Sequence, residues 1–366
     1  MRKRILVLAV LGLCLGGCLL AWRHTDNSPL PSLREKERTL LRIWVLNAPG
    51  GGQAWLKQQL RAFEKAYPGI ATWLRNVTPE DLSDPQAVLP DVLLYMPGDL
   101  TAPEELFLPL SGEMLQAGLL REELLRCGRW QGQQYGLPLC WGSWVLAVSS
   151  SLEPGRTATP APTTLLGRPA VSPAEATPEP GYPYAAACQT AYPVQAPGGC
   201  ALFTLGMLAT PLPPLPEDFG HLSSAAVYEA FRHGQCATAM LTTGQAVALA
   251  NMGSSSVGHR IMTPEEVVTD QVWLASVTKD APPQAGLLLA HLVSADAQKS
   301  LYGQGLHTVR RDVTLYTAGF SARVEQAARR TLCAVNAYLP IQQVHQAAWQ
   351  YLQGILPLSD ALSPLM

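Results

Sequence analysis

The sequence predicts an α/β fold that opens with a doubly wound lobe, on three observations. Leu41, Ile43, Trp44, Val45 and Leu46 form a nearly continuous apolar run rich in β-branched and aromatic residues, the pattern of a strand covered on both faces. Beyond a break at Asn47 to Gly52, Leu56, Leu60, Phe63 and Tyr67 fall on one helical stripe, and Lys57, Arg61, Glu64 and Lys65 on other faces. Pro68 and Gly69 stop that helix. Pro90 to Met96 is a second buried strand, and Pro97-Gly98-Asp99 a turn at its carboxyl end. Strand, helix and strand in this order build an α/β lobe.

The remaining elements follow in order. Ile70 to Val77 is apolar at Ile70, Trp73, Leu74 and Val77 and reads as a strand, followed by loop and turn from Pro79 to Ala87. Leu106 to Leu125 reads as short helices with Leu110, Leu115, Leu119, Leu120 and Leu124 inward. Residues 153–200 are crowded with Pro, Ala, Thr and Gly. They read either as low-complexity linker or as an abbreviated part of a second lobe, with Leu165, Val171, Tyr182, Tyr184 and Tyr192 available for packing. A helix and strand span Ala226 to Leu241, and Thr242 to Gln245 turn into another helix. Val272 to Val277 is a strand, Gln284 to Val293 a helix, and Ser321 to Ala337 and Ile341 to Ile355 the closing helices.

At 366 residues the chain accommodates two ordinary domains or one large bilobed unit. Its charged fraction is 15% and its formal net charge −2, so no basic field exists to gather nucleic acid. Residues 1–22 read as a targeting segment: Arg2, Lys3 and Arg4 form a positive n-region, and Ile5 to Cys14 an apolar h-region. Leu15-Gly16-Gly17-Cys18 resembles the lipobox of bacterial lipoproteins, which makes Cys18 the expected lipid-bearing N-terminus on the extracytoplasmic face of the membrane. The alternative is an uncleaved signal anchor, since the apolar run continues to Trp22. Residues 23–39 read as a flexible tether.

The six cysteines beyond residue 22 permit disulfides in an exported protein without requiring them, and Cys188 with Cys200 is the pair to test first. No C-x-x-C is present and the seven histidines do not cluster, so no metal site and no cofactor are expected.

Arg129 to Val148 carries the run Gly-Gln-Gln-Tyr-Gly-Leu-Pro, and with it the sequence resembles the extracellular solute-binding proteins of ABC importers, of the large sugar-type branch. In that family a Gly-Lys-x-Tyr-Gly-hydrophobic-Pro run leads into the first strand crossing between lobes; Gln133 stands here in place of the Lys. Pro90-Asp91-Val92, Gly234 to Met240, Ser294 to Gln298 and Gly305 to Val313 match further segments in order, with Asp296 for Glu and Thr308 for Pro. The resemblance covers most of residues 40–356. It implies a bilobed periplasmic-binding-protein-like fold, two α/β lobes joined by three hinge crossings. Residues 40–139 and 272–310 would form the N-lobe, and 140–271 and 311–366 the C-lobe. It also implies capture of a small solute, a carbohydrate, for the membrane subunits of an ABC importer, without catalysis. A sensor ectodomain, a binder of a metal or polyamine, and a glycoside-processing enzyme are the alternatives on the same fold.

A sugar needs aromatic plates and planar polar groups at its site. Trp141 and Trp144, just past the first crossing, and Trp273, at the second, are candidates, with core packing as the competing role. Trp44, Trp55 and Trp73 read as core or helix-face residues. Asn47 and Gln53 flank the glycine bend, Asp99 ends its strand, and Gln245 starts a helix; each has a plain turn, cap or solvated role beside the ligand-facing one. Gly50-Gly51-Gly52 lacks the Gly-Lys-Ser/Thr of a phosphate loop, and neither Gly-x-Ser-x-Gly nor His-Glu-x-x-His occurs.

Overall fold

The structure is a computed structural model and describes residues 38–83, 88–112, 115, 118–149, 190–191, 224–236, 238–252, 258–352, 355–357 and 360. The targeting segment, Cys18, Cys188, Cys200, the three tyrosines and nearly all of 153–200 lie outside these residues.

In chain order the strands are β1 (Thr39–Val45), β2 (Ile70–Asn76), β3 (Val92–Tyr95), β4 (Arg129–Trp130), β5 (Gln133–Gln134), β6 (Leu137–Trp141), β7 (Trp144–Ser149) and β8 (Thr190–Ala191). They continue as β9 (Thr238–Thr242), β10 (His259–Met262), β11 (Val267–Thr269), β12 (Val272–Val277), β13 (His307–Thr308) and β14 (Leu332–Ala334). One six-stranded sheet runs β13-β6-β12-β3-β1-β2, and a four-stranded sheet β10-β7-β9-β8. Parallel pairing of β1 with β3 puts Val45 beside Leu94, so the strands end together at Asn47 and at Met96–Asp99. β12 runs antiparallel to β3 and to β6 and brings Val272, Trp273 and Trp141 to the same sheet end.

The opening unit forms because its apolar period is consistent. Trp55, Leu56, Leu60 and Phe63 of the helix Gly52–Ala66 are buried, and Gly51 begins that helix at φ 82°, a left-handed conformation that costs little only for glycine. Asp91 locks the sheet at its other end: its buried carboxylate accepts the Arg42 backbone N–H at 2.6 Å and pairs with the guanidinium at 2.7 Å. Pro138 sits inside β6, where the pairing with β12 shifts register between Trp273 and Leu274, and the irregularity admits a residue with no N–H.

Several elements differ from the sequence-based expectation. Pro79–Ser83 is a short helix rather than loop. The expected helices of 106–125 shrink to Pro103–Leu106 and Glu122–Leu125, and Leu119 is exposed. The helix expected from Ser321 to Ala337 is Gly319–Arg330; after it Leu332–Ala334 turns into β14 and pairs in parallel with β11. Tertiary pairing here overrides a segment whose apolar spacing also suits a helix. Trp73 is 49% exposed on the edge strand β2, whereas Trp44 and Trp55 are core.

Candidate functional site

The chain passes between the two large sheets at Gly142-Ser143, from β6 to β7. It re-enters the six-stranded sheet at Asp270-Gln271, from β11, which forms a two-stranded sheet with β14, to β12. These passages are stitched to one another: the Gly142 N–H donates to the Gln271 carbonyl at 2.7 Å, and the Thr269 hydroxyl to the Gly142 carbonyl at 2.8 Å. A third passage leaves β13 toward the helix Gly319–Arg330.

The carboxyl ends of β1 and β3 form one wall beside these crossings. There the Asn47 amide donates to Asp99 Oδ1 at 2.7 Å, and the Met96 backbone N–H donates to Asp99 Oδ2 at 2.7 Å. Burial raises the Asp99 pKa, and the two donors oppose that shift. Trp273 lies beneath, its indole N–H donating to the Asn47 carbonyl at 2.8 Å. The structure thus brings Asn47, Asp99 and Trp273 together.

The other candidates are held elsewhere. Gln53 is bonded to Asn76 on the exposed flank of the opening helix. Gln245 is the N3 partner of a capping box with Thr242, and its amide nitrogen donates to the Ser224 carbonyl and hydroxyl, so each polar group of the side chain is engaged. Trp141 is 1% exposed, stacked on His307 at 4.5 Å, and its N–H meets the Thr308 carbonyl. Trp144 is 2% exposed and donates to Asp270 at 3.0 Å. Trp273 is fully enclosed, edge-on to Trp55. In this conformation all three rings are walled in by protein with their N–H groups satisfied.

Backbone meets backbone across the crossings. A methyl built on Gly244, at the start of the helix Thr243–Asn251, would lie 3.1 Å from the Gly50 carbonyl oxygen. One built on Gly305 would lie 2.5 Å from the Gly244 Cα and 2.6 Å from the Thr243 carbonyl oxygen. The close approach of the glycine bend after β1, the turn before β13 and the helix that follows β9 therefore rests on the missing side chains of Gly244 and Gly305.

Two polar pairs at the crossings escaped the sequence reading. Asp270, fully buried, accepts from Trp144, from Gln271 at 2.9 Å and from His345 at 2.9 Å. Burial alone would raise its pKa, but the His345 bond and charge, with the Gln271 and Trp144 bonds, hold it below the usual carboxylate range. His307 Nδ1 faces Glu325 Oε1 at 3.3 Å, and its Nε2 has no hydrogen-bond partner. Burial pushes the His307 pKa down against the pull of Glu325, so the ring is neutral and donates Nδ1–H to the carboxylate. No local motif marks these residues, because each pair joins segments far apart in sequence. Among the described residues no group of three or more His, Cys, Asp or Glu could hold a metal ion, and no helix is long and apolar enough to cross a membrane.

No protein-family model matches the sequence, and no characterised protein matches it at significant sequence similarity. Solved structures do match. The GacH receptor of Streptomyces glaucescens, studied unliganded and with acarbose, superposes with a TM-score of 0.57 at 14% identity over 90% of this chain and 96% of its own. The maltose/maltodextrin-binding domain MalE of Bdellovibrio bacteriovorus, bound to maltotriose, gives 0.58 at 13% identity over 89% and 97%. The maltose-maltodextrin binding protein of Alicyclobacillus acidocaldarius gives 0.57 at 14% over 89% and 98%. The chain has the bilobed periplasmic-binding fold of these proteins, with an α/β lobe built on each large sheet.

Proposed function

We propose that the chain is a solute-binding protein tethered to the extracytoplasmic face of a bacterial membrane. It captures a small solute, a carbohydrate, in the cleft between its lobes and presents it to the membrane subunits of an ABC importer, with no catalysis of its own. The observation that carries this reading is the match of fold across about nine-tenths of the chain to proteins solved with acarbose, maltotriose and related sugars. In the proposal residues 40–139 and 272–310 belong to one lobe, 140–271 and 311–366 to the other, and Cys18 bears the lipid.

The geometry of the cleft wall supports the same class of solute. Asp99 is a hydrogen-bond acceptor that offers two oxygens, and Asn47 is exposed beside it, a pairing suited to a hydroxyl rim. Gln53 and Gln245 flank the bend and the facing helix. Trp141, Trp144 and Trp273 stay the proposed aromatic surface, with all three rings enclosed in the conformation described.

The test is thermal-shift screening of the soluble part from about residue 32 against monosaccharides, oligosaccharides, amino acids, polyamines and metal ions. A ligand at a hundred times its Kd stabilises the folded state by about 2.7 kcal/mol. The expected result is a raised Tm with one class of sugar. A response confined to iron or polyamines overturns the carbohydrate assignment, and hydrolysis of a glycoside by the pure protein overturns the absence of catalysis.

A further inference from the structure

Between β14 and the helix Ile341–Leu352 the chain leaves its partner strand β11 and runs along the six-stranded sheet's lobe. It is bonded there at successive residues. The Ala337 N–H donates to the Cys127 carbonyl at 2.7 Å, and the Ala337 carbonyl accepts from the Gly98 N–H at 2.9 Å. The Asn336 amide donates to the Arg129 carbonyl at 2.8 Å, and the Tyr338 hydroxyl meets that of Tyr95 at 2.6 Å inside the core. Ile341 then packs directly on Gly98, so closely that a methyl on that glycine would overlap its side chain. One turn further along the helix, His345 bonds Asp270 in the second crossing.

Gly98 immediately precedes Asp99, in the turn whose Met96 N–H holds the Asp99 carboxylate. We propose that the start of this last helix is a positioning element for the site: Ile341 on Gly98 and His345 on Asp270 tie the Asp99 turn to the interlobe crossing, so that the carboxylate offered to a solute is set by the hinge. These contacts are separate from the three passages described above. The two anchors lie on one face of one helix, four residues apart, and a helix transmits displacement between such positions as a rigid body. Ile341 and His345 need not touch a solute. They act through Gly98 and through Asp270, and the coupling is a chain of contacts with both ends defined.

This inference rests on the reading of Asp99 as solute-facing, and its test is run without any solute so that the two can fail separately. The readout is hydrogen exchange at the Met96 amide, which reports the Asp99 turn, with the Leu46 amide, bonded to the Leu94 carbonyl across β1 and β3, as a reporter of global stability. In Ile341→Ala and in His345→Ala, Met96 exchange is expected to rise by about tenfold relative to Leu46 exchange, the signature of local rather than global opening. Ile341→Val, which keeps the contact on Gly98, is expected to restore the wild-type rate, and Gln342→Ala, on an exposed position of the same helix, to leave it unchanged. Met96 exchange that stays at the wild-type rate in both alanine variants overturns the proposal. So does acceleration of Leu46 and Met96 by the same factor, which assigns Ile341 and His345 to general stability.

Discussion

Removing the Asp270 carboxylate is the sharpest perturbation of the hinge. Three donors converge on it, from Trp144, Gln271 and His345, and each belongs to a different segment. Asp270→Ala leaves the enclosed Trp144 N–H without a partner and His345 beside an apolar wall. Breaking a buried pair from one side costs about 3–5 kcal/mol, of which the stranded Trp144 N–H accounts for about 1–3 kcal/mol. Asp270→Asn keeps an oxygen for Trp144 and Gln271 and loses only the charged partner of His345, a loss of about 1.5–3 kcal/mol. The assay is urea unfolding at neutral pH, read as the midpoint with the slope checked for constancy. The pH dependence gives a second reading of the same carboxylate. Its folded pKa is depressed below the unfolded value of about 3.9, so its contribution is complete above that value and is lost as pH falls through the folded one. The acid limb of Asp270→Asn is therefore expected to be shallower than that of the wild type. A loss under about 1 kcal/mol in both variants refutes the assignment of Asp270 as the buried tie between crossing and helix.

Other expectations follow from the same contacts. His307 is buried neutral, its folded pKa below the unfolded value of about 6.5, so wild-type stability is complete above that pH and declines as pH drops through it; His307→Gln, in chemical unfolding between about pH 7 and 5, should flatten that decline. Gly303→Ala, at φ +81° with open space around it, should cost about 1–3 kcal/mol in unfolding measurements from its own φ, and Gly305→Ala, at φ +70° with its methyl against the backbone of Thr243 and Gly244, should cost more. Cys18→Ser should abolish incorporation of labelled fatty acid in cells, and unchanged labelling rejects the lipobox.

The legible part of the fold was the part encoded locally. The strand, bend and helix of Leu41 to Gly69, the strand Val92–Tyr95 and the helix–strand pair of Ser224–Thr242 each carry their own period, and burial follows it at Leu56, Leu60 and Phe63 but not at Tyr67, which is exposed past the helix end. β14 was illegible for the opposite reason. Leu332-Cys333-Ala334 is short and lacks a decisive pattern, and it becomes a strand only because Val267–Thr269, far upstream, offers it an edge. The candidate site divides along the same line. Asn47 and Asp99 could be nominated from position at strand ends, and the structure joins them; whether an indole near a crossing faces inward depends on partners such as Asp270 and Thr308 that no local sequence window contains.

The same contrast explains why the crossings are built from polar groups and glycines rather than aliphatic side chains. A hinge sealed by apolar packing would have to expose that surface each time the lobes part, at about 25 cal/mol for each Å² uncovered. Gly50, Gly244 and Gly305 bring backbones together with little apolar area to uncover, and the Asp270 and Gln271 groups keep partners on neighbouring crossings. The hydrogen bond from the Gly142 N–H to the Gln271 carbonyl joins two adjacent crossings, whereas the glycine contacts are non-bonded and of small area. On the proposed function, directional bonds would fix the axis and contacts of small area the closed limit, leaving between open and closed states a small energy for a solute to tip.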